Sequence, residues 1–297
     1  MSDNTVRCIR KRDRDYPLRM IELSGMPECL YVKGNLPDEE KPSIAIVGAR
    51  SCSNYGRNLA GEFSRIFSEE GIQVISGLAL GIDGEAHGGA LRGNTPTFAI
   101  LANDVDVCYP KSNQKIYSRI LEGGGGIISE QPPGTPPVPC YFPARNRIIS
   151  ALCDIILIIE AKLKSGSLIT ADFALEQGKS VYALPGRVGD LLSEGCNRLI
   201  YQGAGIAYTP DVILQELKPG SKFMADNLNQ RKLAKMSREV QYIYNQLDQT
   251  PISMEDLCRR VPYEIPSVLS ALTEMQMNGL VVEIGKNYYI KSTIVCL

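Results

Sequence analysis

The chain has 297 residues, 44% hydrophobic and 22% charged, with a formal net charge of −1 and a pI near 6.0. That suits a globular protein with one large domain and a small one, and it excludes a bulk electrostatic footprint for nucleic acid, so any such binding must come from a local cluster. No apolar run approaches the roughly 20 residues that cross a bilayer. The charged start MSDNTVRCIRKRDRDYP lacks the apolar core of a secretory signal, so the expected compartment is the cytosol, with no membrane partner. Nine cysteines are scattered without a C-x-x-C pair, and His87 is the single histidine. This rules against a zinc site of the usual spacing and fits reduced, buried thiols better than a disulfide framework. No metal and no cofactor is expected.

Residues 1–42 read as a lead-in arm packed on the main domain, with little helix. Tyr16, Leu18, Ile21, Leu23, Leu30, Tyr31 and Val32 are apolar enough to dock, while Pro17, Pro27 and Pro37 cut the arm into short pieces. Residues 43–217 alternate apolar runs and helical stretches. The expected strands are Ile44–Val47, Gln73–Ser76, Thr97–Leu101, Ile127–Ser129, Ile155–Ile159, Val181–Leu184 and Ile206–Tyr208. Crossover helices of about a dozen residues between them imply an α/β doubly wound, mostly parallel sheet with helices on both faces.

Ligands of such sheets sit at the carboxyl ends of the strands. The first strand empties through Gly48-Ala49-Arg50 into a helix that Ser51, Ser53 or Asn54 could cap. A helix N-terminus entered through glycine is a natural anion site, and Arg50 adds a forked cation beside it. The dinucleotide fingerprint G-x-G-x-x-G is absent. The second strand is followed by SGLALGID, the fourth by a proline-rich loop leading into FPARNRI (142–148), and the fifth by Glu160 and KSGSLIT (164–170). These Gly, Ser, Thr and Arg residues let a backbone approach an oxygen-rich ligand and donate to it. FPARNRI joins Phe142 to Arg145, Asn146 and Arg147, the combination that stacks a base and holds its phosphate. A sugar-phosphate backbone is the expected occupant. The candidate set is Gly48, Ala49, Arg50, Ser53, Tyr55, Gly56, Ser76, Gly77, Gly81, Phe142, Arg145, Asn146, Arg147, Ser165, Gly166, Ser167 and Thr170. His87 has no nucleophile at a recognisable spacing, so a structural hydrogen bond, with Asp83 as partner, is expected instead of a catalytic role. Asp83, Asp106, Glu130, Glu160 and Asp172 read as caps and loop anchors, and no catalytic residue is assigned.

Residues 218–232 read as a polar linker around Pro219-Gly220. In residues 233–297, Val240, Ile243, Tyr244 and Leu247 share a helical face, Ser253 and Asp256 form a capping box, and Ile265–Asn278 is a helix stopped at Gly279. A hairpin around Gly285-Lys286 follows, giving a small winged-helix domain, a common DNA reader. Yet the helix expected to read DNA, Glu264 to Asn278, has no Lys or Arg and carries Glu264 and Glu274, and residues 229–297 hold eight basic against seven acidic side chains. A duplex reader needs cations facing phosphates, so this domain is expected to contact protein and to bind DNA weakly.

The ordered segments IAIVGARSCSNYG, VISGLALGIDGEAHGGAL, YPKSN, IISEQPPG, FPARNRII, SGSLITADFALEQGKSVYALPG and EGCNRLIYQGA resemble the bacterial DNA-processing protein A (DprA/Smf) family over residues 16–217. The tail resembles the winged-helix domain that many members carry. The resemblance implies an extended Rossmann-like domain that binds single-stranded DNA, a homodimer, and a mediator, not an enzyme, that helps load RecA recombinase in natural transformation. It implies a phosphate-binding role for Arg50 with the Gly48 turn, base and backbone contacts for Phe142, Arg145, Asn146 and Arg147, and donors at Ser165, Gly166, Ser167 and Thr170. The chain starts almost at the lead-in, where members often have a small helical domain, and carries Asn103-Asp104 where they usually have Gly. The alternative is a Rossmann-like nucleoside-monophosphate phosphoribohydrolase, whose PGGxGTxxE-type loop corresponds to Lys164–Thr170 with Asp172 as its carboxylate.

Overall fold

The computed structural model describes residues 5–217, 233, 236–248 and 250–291, and the chain divides into two compact units, 1–221 and 222–297. The expected linker at 218–232 lies outside the described residues.

The first unit is built on a nine-stranded sheet. Its strands are β1 Arg7–Arg10, β2 Cys29–Gly34, β3 Ser43–Val47, β4 Gln73–Ser76, β5 Thr97–Leu101, β6 Gly126–Ser129, β7 Ile155–Ile158, β8 Ser180–Ala183 and β9 Gly205–Ile206. They lie in the order β1-β2-β6-β5-β4-β3-β7-β8-β9. The β6 to β9 stretch of that order is parallel throughout, whereas β1–β2 and β2–β6 are antiparallel. The chain begins the parallel set in the middle at β3, winds outward through β4, β5 and β6, then returns to β7 on the other flank of β3. The point where the winding reverses therefore lies between β3 and β7, and it opens a crevice at their carboxyl ends.

All five residues of β3 are buried, as a central strand covered on both faces requires. Alternation sorts the side chains: Phe98 and Ile100 of β5 join one core with Ala45, Val47, Ile128, Ile156 and Ile158, while Ala99, Leu101 and Ile127 join another with Tyr117 and Ile120. Right-handed crossovers account for two helical layers. The outward leg carries α2 Asn54–Glu69, α3 Ile82–Ala90 and α4 Gln114–Glu122; the return leg carries α5 Tyr141–Ala151, α6 Gly166–Glu176 and α7 Glu194–Tyr201. The last helix of the unit is α8, Pro210–Leu217.

The lead-in supplies two strands and the short helix α1, Leu18–Ile21. Tyr16, Met20, Leu30 and Val32 are buried in the first core. Arg19 fastens this segment to the amino edge of the sheet. Its guanidinium donates to Asp154 Oδ2 (3.1 Å), Ser43 Oγ, Leu152 O (3.3 Å), Glu39 Oε2 (3.2 Å) and Lys41 O (3.0 Å). The expectation of reduced thiols throughout is corrected at one pair: Cys8 of β1 and Cys29 of β2 are disulfide-bonded, Cα–Cα 6.4 Å.

The second unit has α9 Arg238–Asn245, α10 Met254–Arg260 and α11 Ile265–Met277, with a sheet ordered β10 (Ile252–Ser253), β12 (Tyr288–Lys291), β11 (Val281–Gly285). This is a winged helix. Ser253 Oγ accepts from Asp256 N (3.1 Å), as the capping box requires. Val240, Ile243, Leu257, Val268, Leu272 and Met275 form its core. The α11 face away from that core exposes Ile265, Leu269 and Met277, together with Glu274.

Arg19 bridges segments more than a hundred residues apart with several donors at once. Arg19→Ala is expected to lower unfolding stability by about 2 kcal/mol, read from the urea midpoint of the full chain.

Candidate functional site

The crevice between β3 and β7 rests on two buried groups of opposite charge, Asp83 and Arg145. Asp83, in the first turn of α3, is 6% exposed, and its carboxylate takes the Gly77 N–H at 3.1 Å together with the N–H groups of Gly48 and Ala79. Arg145, 4% exposed on α5, lies close enough for its charge to act on Asp83, and donates to Gly77 O (2.8 Å) and Ile100 O. Burial pushes the Asp83 carboxyl up, against the pull of Arg145 and three N–H donors. Burial pulls the Arg145 guanidinium down to about 10, which leaves it charged at neutral pH. A Cβ on Gly77 would stand 2.5 Å from Arg145 Nη2, so only glycine lets the guanidinium lie under the turn. One carboxylate and one guanidinium thus fix the ends of β3, β4 and β5 together.

Above this floor is a cleft of about 520 Å³. On one wall Arg50 is exposed, its guanidinium carbon 5.0 Å from the Phe142 ring centroid. Phe142 in turn packs against Tyr109, centroids 5.8 Å apart and planes at 48°. The opposite wall is the loop from β7 into α6. Lys162 and Lys164 are exposed there, and Ser165 caps α6, its Oγ accepting from Ser167 N (3.4 Å) and lying 2.8 Å from Ser167 Oγ. A Cβ on Gly166 would meet nothing within 4 Å, so the first turn of α6 is open to a ligand. Asn146 Nδ2 donates to Gly166 O (3.2 Å) and ties that turn to α5. Among the described residues lining the cleft, Asp83 alone is acidic, and it is occupied below. The cleft therefore offers an aromatic platform with a cation on it, two lysines, and the positive end of an 11-residue helix.

Ten of the expected residues line this cleft together: Gly48, Ala49, Arg50, Phe142, Arg145, Asn146, Ser165, Gly166, Ser167 and Thr170. The others lie elsewhere for identifiable reasons. The N-terminus of α2, expected to take an anion, is filled by the chain's own carboxylate. Glu160, buried at the end of β7, accepts from Ser53 N (2.8 Å) and from the Ser53 hydroxyl, while Ser53 Oγ caps Gly56 N (3.0 Å). Gly56 is needed because a Cβ there would strike that carboxylate. Ser53, Tyr55 and Gly56 are thus absent from the lining. Ser76 is buried with its hydroxyl on Ile46 O (2.6 Å), and Gly77 and Gly81 shape the turn beneath, Gly81 at φ +72°. Arg147 forms an ion pair with Glu130.

The split between Arg145 and Arg147 follows from helical spacing. Phe142, Arg145 and Asn146 stand at i, i+3 and i+4 and share a face of α5; Arg147 points away from it. Tyr109, Lys162 and Lys164 belong to the cleft but were not among the candidates. Their signal was positional: each sits in a loop just past a strand end, beside residues already singled out. Asp172, which the phosphoribohydrolase alternative requires, is exposed and outside the lining. His87 is fully buried, and its partner is Thr97, not Asp83. Thr97 Oγ1 donates to Val74 O (2.7 Å) and so receives the proton of His87 Nδ1 (2.8 Å).

The chain has recognisable relatives. Residues 7–218 match the family model of DNA recombination-mediator protein A, and residues 230–284 match that of the DprA winged helix domain. Protein Smf of Escherichia coli (strain K12) is 35% identical over 279 residues, 92% of this chain and 74% of that protein. DNA processing protein DprA of Streptococcus pneumoniae is 39% identical over 206 residues, 69% of this chain and 72% of that one. Its X-ray structure superposes with a TM-score of 0.68 at 37% identity, covering 73% of this chain and 76% of that one. A DNA processing protein A from Helicobacter pylori, whose structure gives its single-stranded DNA binding mode, superposes with a TM-score of 0.63 at 28% identity, covering 73% and 97%. The chain belongs to the DNA recombination-mediator protein A (DprA/Smf) family.

Burial moves the His87 imidazole from its ordinary 6.5 down to about 3. Between those values the unfolded chain takes up a proton that the folded chain refuses. Stability is therefore full above pH 6.5 and falls on acidification towards pH 3, by up to about 1.4 kcal/mol per pH unit. Urea midpoints measured across that range should show the slope, and His87→Gln should lose this part of it.

Proposed function

We propose that this family member binds single-stranded DNA in the cleft between β3 and β7, with a phosphate at the N-terminus of α6 and a base against the Phe142–Tyr109 platform. The observation that carries this reading is the placing of Arg50, over the Phe142 ring, across one cleft from the open first turn of α6. A strand of nucleotides presents a phosphate and a π-face at each repeat, and the two walls match that pair. No base-edge reader is required, so binding is tolerant of sequence. Lys162 and Lys164 supply further phosphate contacts, Arg145 supports the floor from below, and Arg147 remains with Glu130.

The same reading makes the protein a mediator and not an enzyme. The buried carboxylates nearest the cleft, Asp83 and Glu160, each hold N–H donors of the fold, and His87 is sealed in the core with its Nδ1 proton on Thr97. The family's description as a recombination mediator fits delivery of the bound strand to RecA recombinase in natural transformation, by a homodimer acting in the cytoplasm. Among the described residues no helix is long and apolar enough to cross a membrane.

The test is fluorescence anisotropy of labelled oligo-dT against the full chain over a salt series. Phe142→Ala is expected to weaken binding by about 1–3 kcal/mol, the worth of one stacked base. Arg50→Ala is expected to weaken it about tenfold and to flatten the salt slope by about 0.7, one phosphate contact on a single strand. Arg147→Ala should leave that slope unchanged. Unaltered affinity in both Arg50→Ala and Phe142→Ala would overturn the reading.

A further inference from the structure

We propose that the basic turn following β1, Arg10 to Arg14, is a second contact for the same nucleic-acid strand. The strand would leave the cleft, cross the carboxyl edge of the sheet and settle on this turn. The proposal rests on the single-strand reading above and extends it from a pocket to a track.

Residues 7–15, RCIRKRDRD, place Arg7, Arg10, Lys11, Arg12 and Arg14 against two acids, Asp13 and Asp15, in a chain whose net charge is −1. Arg10, Arg12 and Arg14 are exposed and Lys11 half-buried. Arg7 is engaged, donating to Gly34 O at 2.9 Å. Among the described residues, the other four cations have no carboxylate partner, in contrast to Arg19, Arg57, Arg65, Arg147 and Arg259. The Asp13 carboxylate is turned onto the Arg10 backbone N–H (2.8 Å). Glu28 is the acid facing the turn, in a small hollow shared with Arg10, Lys11, Arg12 and Cys29. Five cations, Arg7 included, against the three exposed acids Asp13, Asp15 and Glu28 leave a net positive edge.

Topology puts this edge on the cleft's side of the sheet. β1 is antiparallel to β2, and β2 is antiparallel to β6, so β1 runs in the direction of the parallel strands. Arg10 lies opposite Cys29, two residues beyond the Tyr31–Ser129 pair, and Ser129 is the last residue of β6. The turn at 11–14 thus emerges past the carboxyl ends, as Arg50 does past β3. Five strand spacings separate β1 from β3. At ~4.8 Å each they span about 24 Å. That is about seven nucleotides at the ~3.4 Å stacked repeat of one strand, within the ~4–16 nucleotides that single-strand sites cover.

The loops between carry acids, and each is neutralised or bonded. Asp106 pairs with Lys33 (2.6 Å), Glu130 pairs with Arg147, and Asp104 accepts from Gly134 N (2.7 Å) and Asp106 N (2.9 Å). Exposed Lys111, two residues after Tyr109, adds a free cation on this side. A flexible polyanion already anchored in the cleft is the occupant that this edge fits, and contact would be to phosphates without regard to sequence.

The experiment compares the full chain with the triple variant Arg10→Gln, Arg12→Gln, Arg14→Gln on two labelled oligo-dT lengths. One of about 6 nucleotides fills the cleft alone, and one of about 20 reaches the edge. The wild type is expected to bind the longer strand more tightly and with a steeper salt slope. The variant should match it on the short strand, lose about tenfold on the long one, and show a salt slope lower by about 2, three contacts at ~0.7 each. An unchanged urea midpoint will show that these exposed replacements leave the fold intact. Equal binding of both proteins to the long strand would overturn the track while leaving the cleft reading standing. Loss on both lengths would overturn it as a separate contact. No binding of either length by the wild type would instead remove the single-strand reading itself, and the track with it.

Discussion

The cleft depends on two buried charges, Asp83 and Arg145, each of which holds backbone groups at the strand ends. Parallel strands end in loops that nothing in the sheet's own hydrogen bonding fixes, and here three of those ends are drawn onto these two side chains. Asp83 collects N–H groups from the turns after β3 and β4, and Arg145 returns donors to Gly77 O and to Ile100 O on β5. Removing either side chain would strand the backbone groups it holds, at about 1–3 kcal/mol for each buried group left unsatisfied. The cost of burying both charges is offset by the backbone groups they satisfy, which would otherwise be orphaned at the strand ends. A rigid floor is what allows exposed side chains above it, Arg50 and Phe142, to hold a fixed spacing.

A second constraint decides which helix end faces the ligand. The first unit has two candidate N-termini near the reversal of winding, those of α2 and α6. Glu160 closes the first: its carboxylate sits among Ser53 N, the Ser53 hydroxyl and the Gly56 position, where an external anion would otherwise be held. A second negative charge there would meet the first at short range in a poorly screened site. At α6 the cap is Ser165, a neutral hydroxyl, and the neighbours are Lys162 and Lys164. The positive end of α6 thus remains free for a ligand while that of α2 is spent inside the fold.

These features differ in how far the sequence reveals them. Gln73–Ser76 and Thr97–Leu101 are read to the residue, because a strand buried on both faces is an apolar run closed by turn residues. β1 is not legible in that way. RCIR has one apolar residue among charges, and what makes it a strand is pairing with β2, twenty residues on, with Ile9 alone turned into the core. At the site, Arg50, Phe142 and the Ser165–Thr170 run are legible because each follows a strand end or opens a helix. The roles of Glu160 and Arg145 are not, since nothing local says that a carboxylate will fold back onto a helix cap or that an arginine will point down. His87 shows the same limit: its buried, structural character is readable, but its partner Thr97 is set by how α3 lies on β5.

The near-neutral net charge of the chain does not count against the proposed binding of a polyanion, because what matters is which charges are left unpaired. Counterion release is set by the cations that meet phosphates, not by the sum over the molecule. In the first unit, Glu39, Asp106, Glu130 and Asp154 are each engaged by Arg or Lys, and Asp83 and Glu160 by backbone donors, while Arg50 remains exposed at the cleft. The second unit reverses this economy. Its α11, the helix that a winged-helix duplex reader lays in the major groove, carries no Lys or Arg and exposes Ile265, Leu269 and Met277. Without cations on that face, the electrostatic part of duplex affinity has no source there. A partly apolar helix face whose one charge is the acidic Glu274 is instead the kind of surface that association with another protein buries.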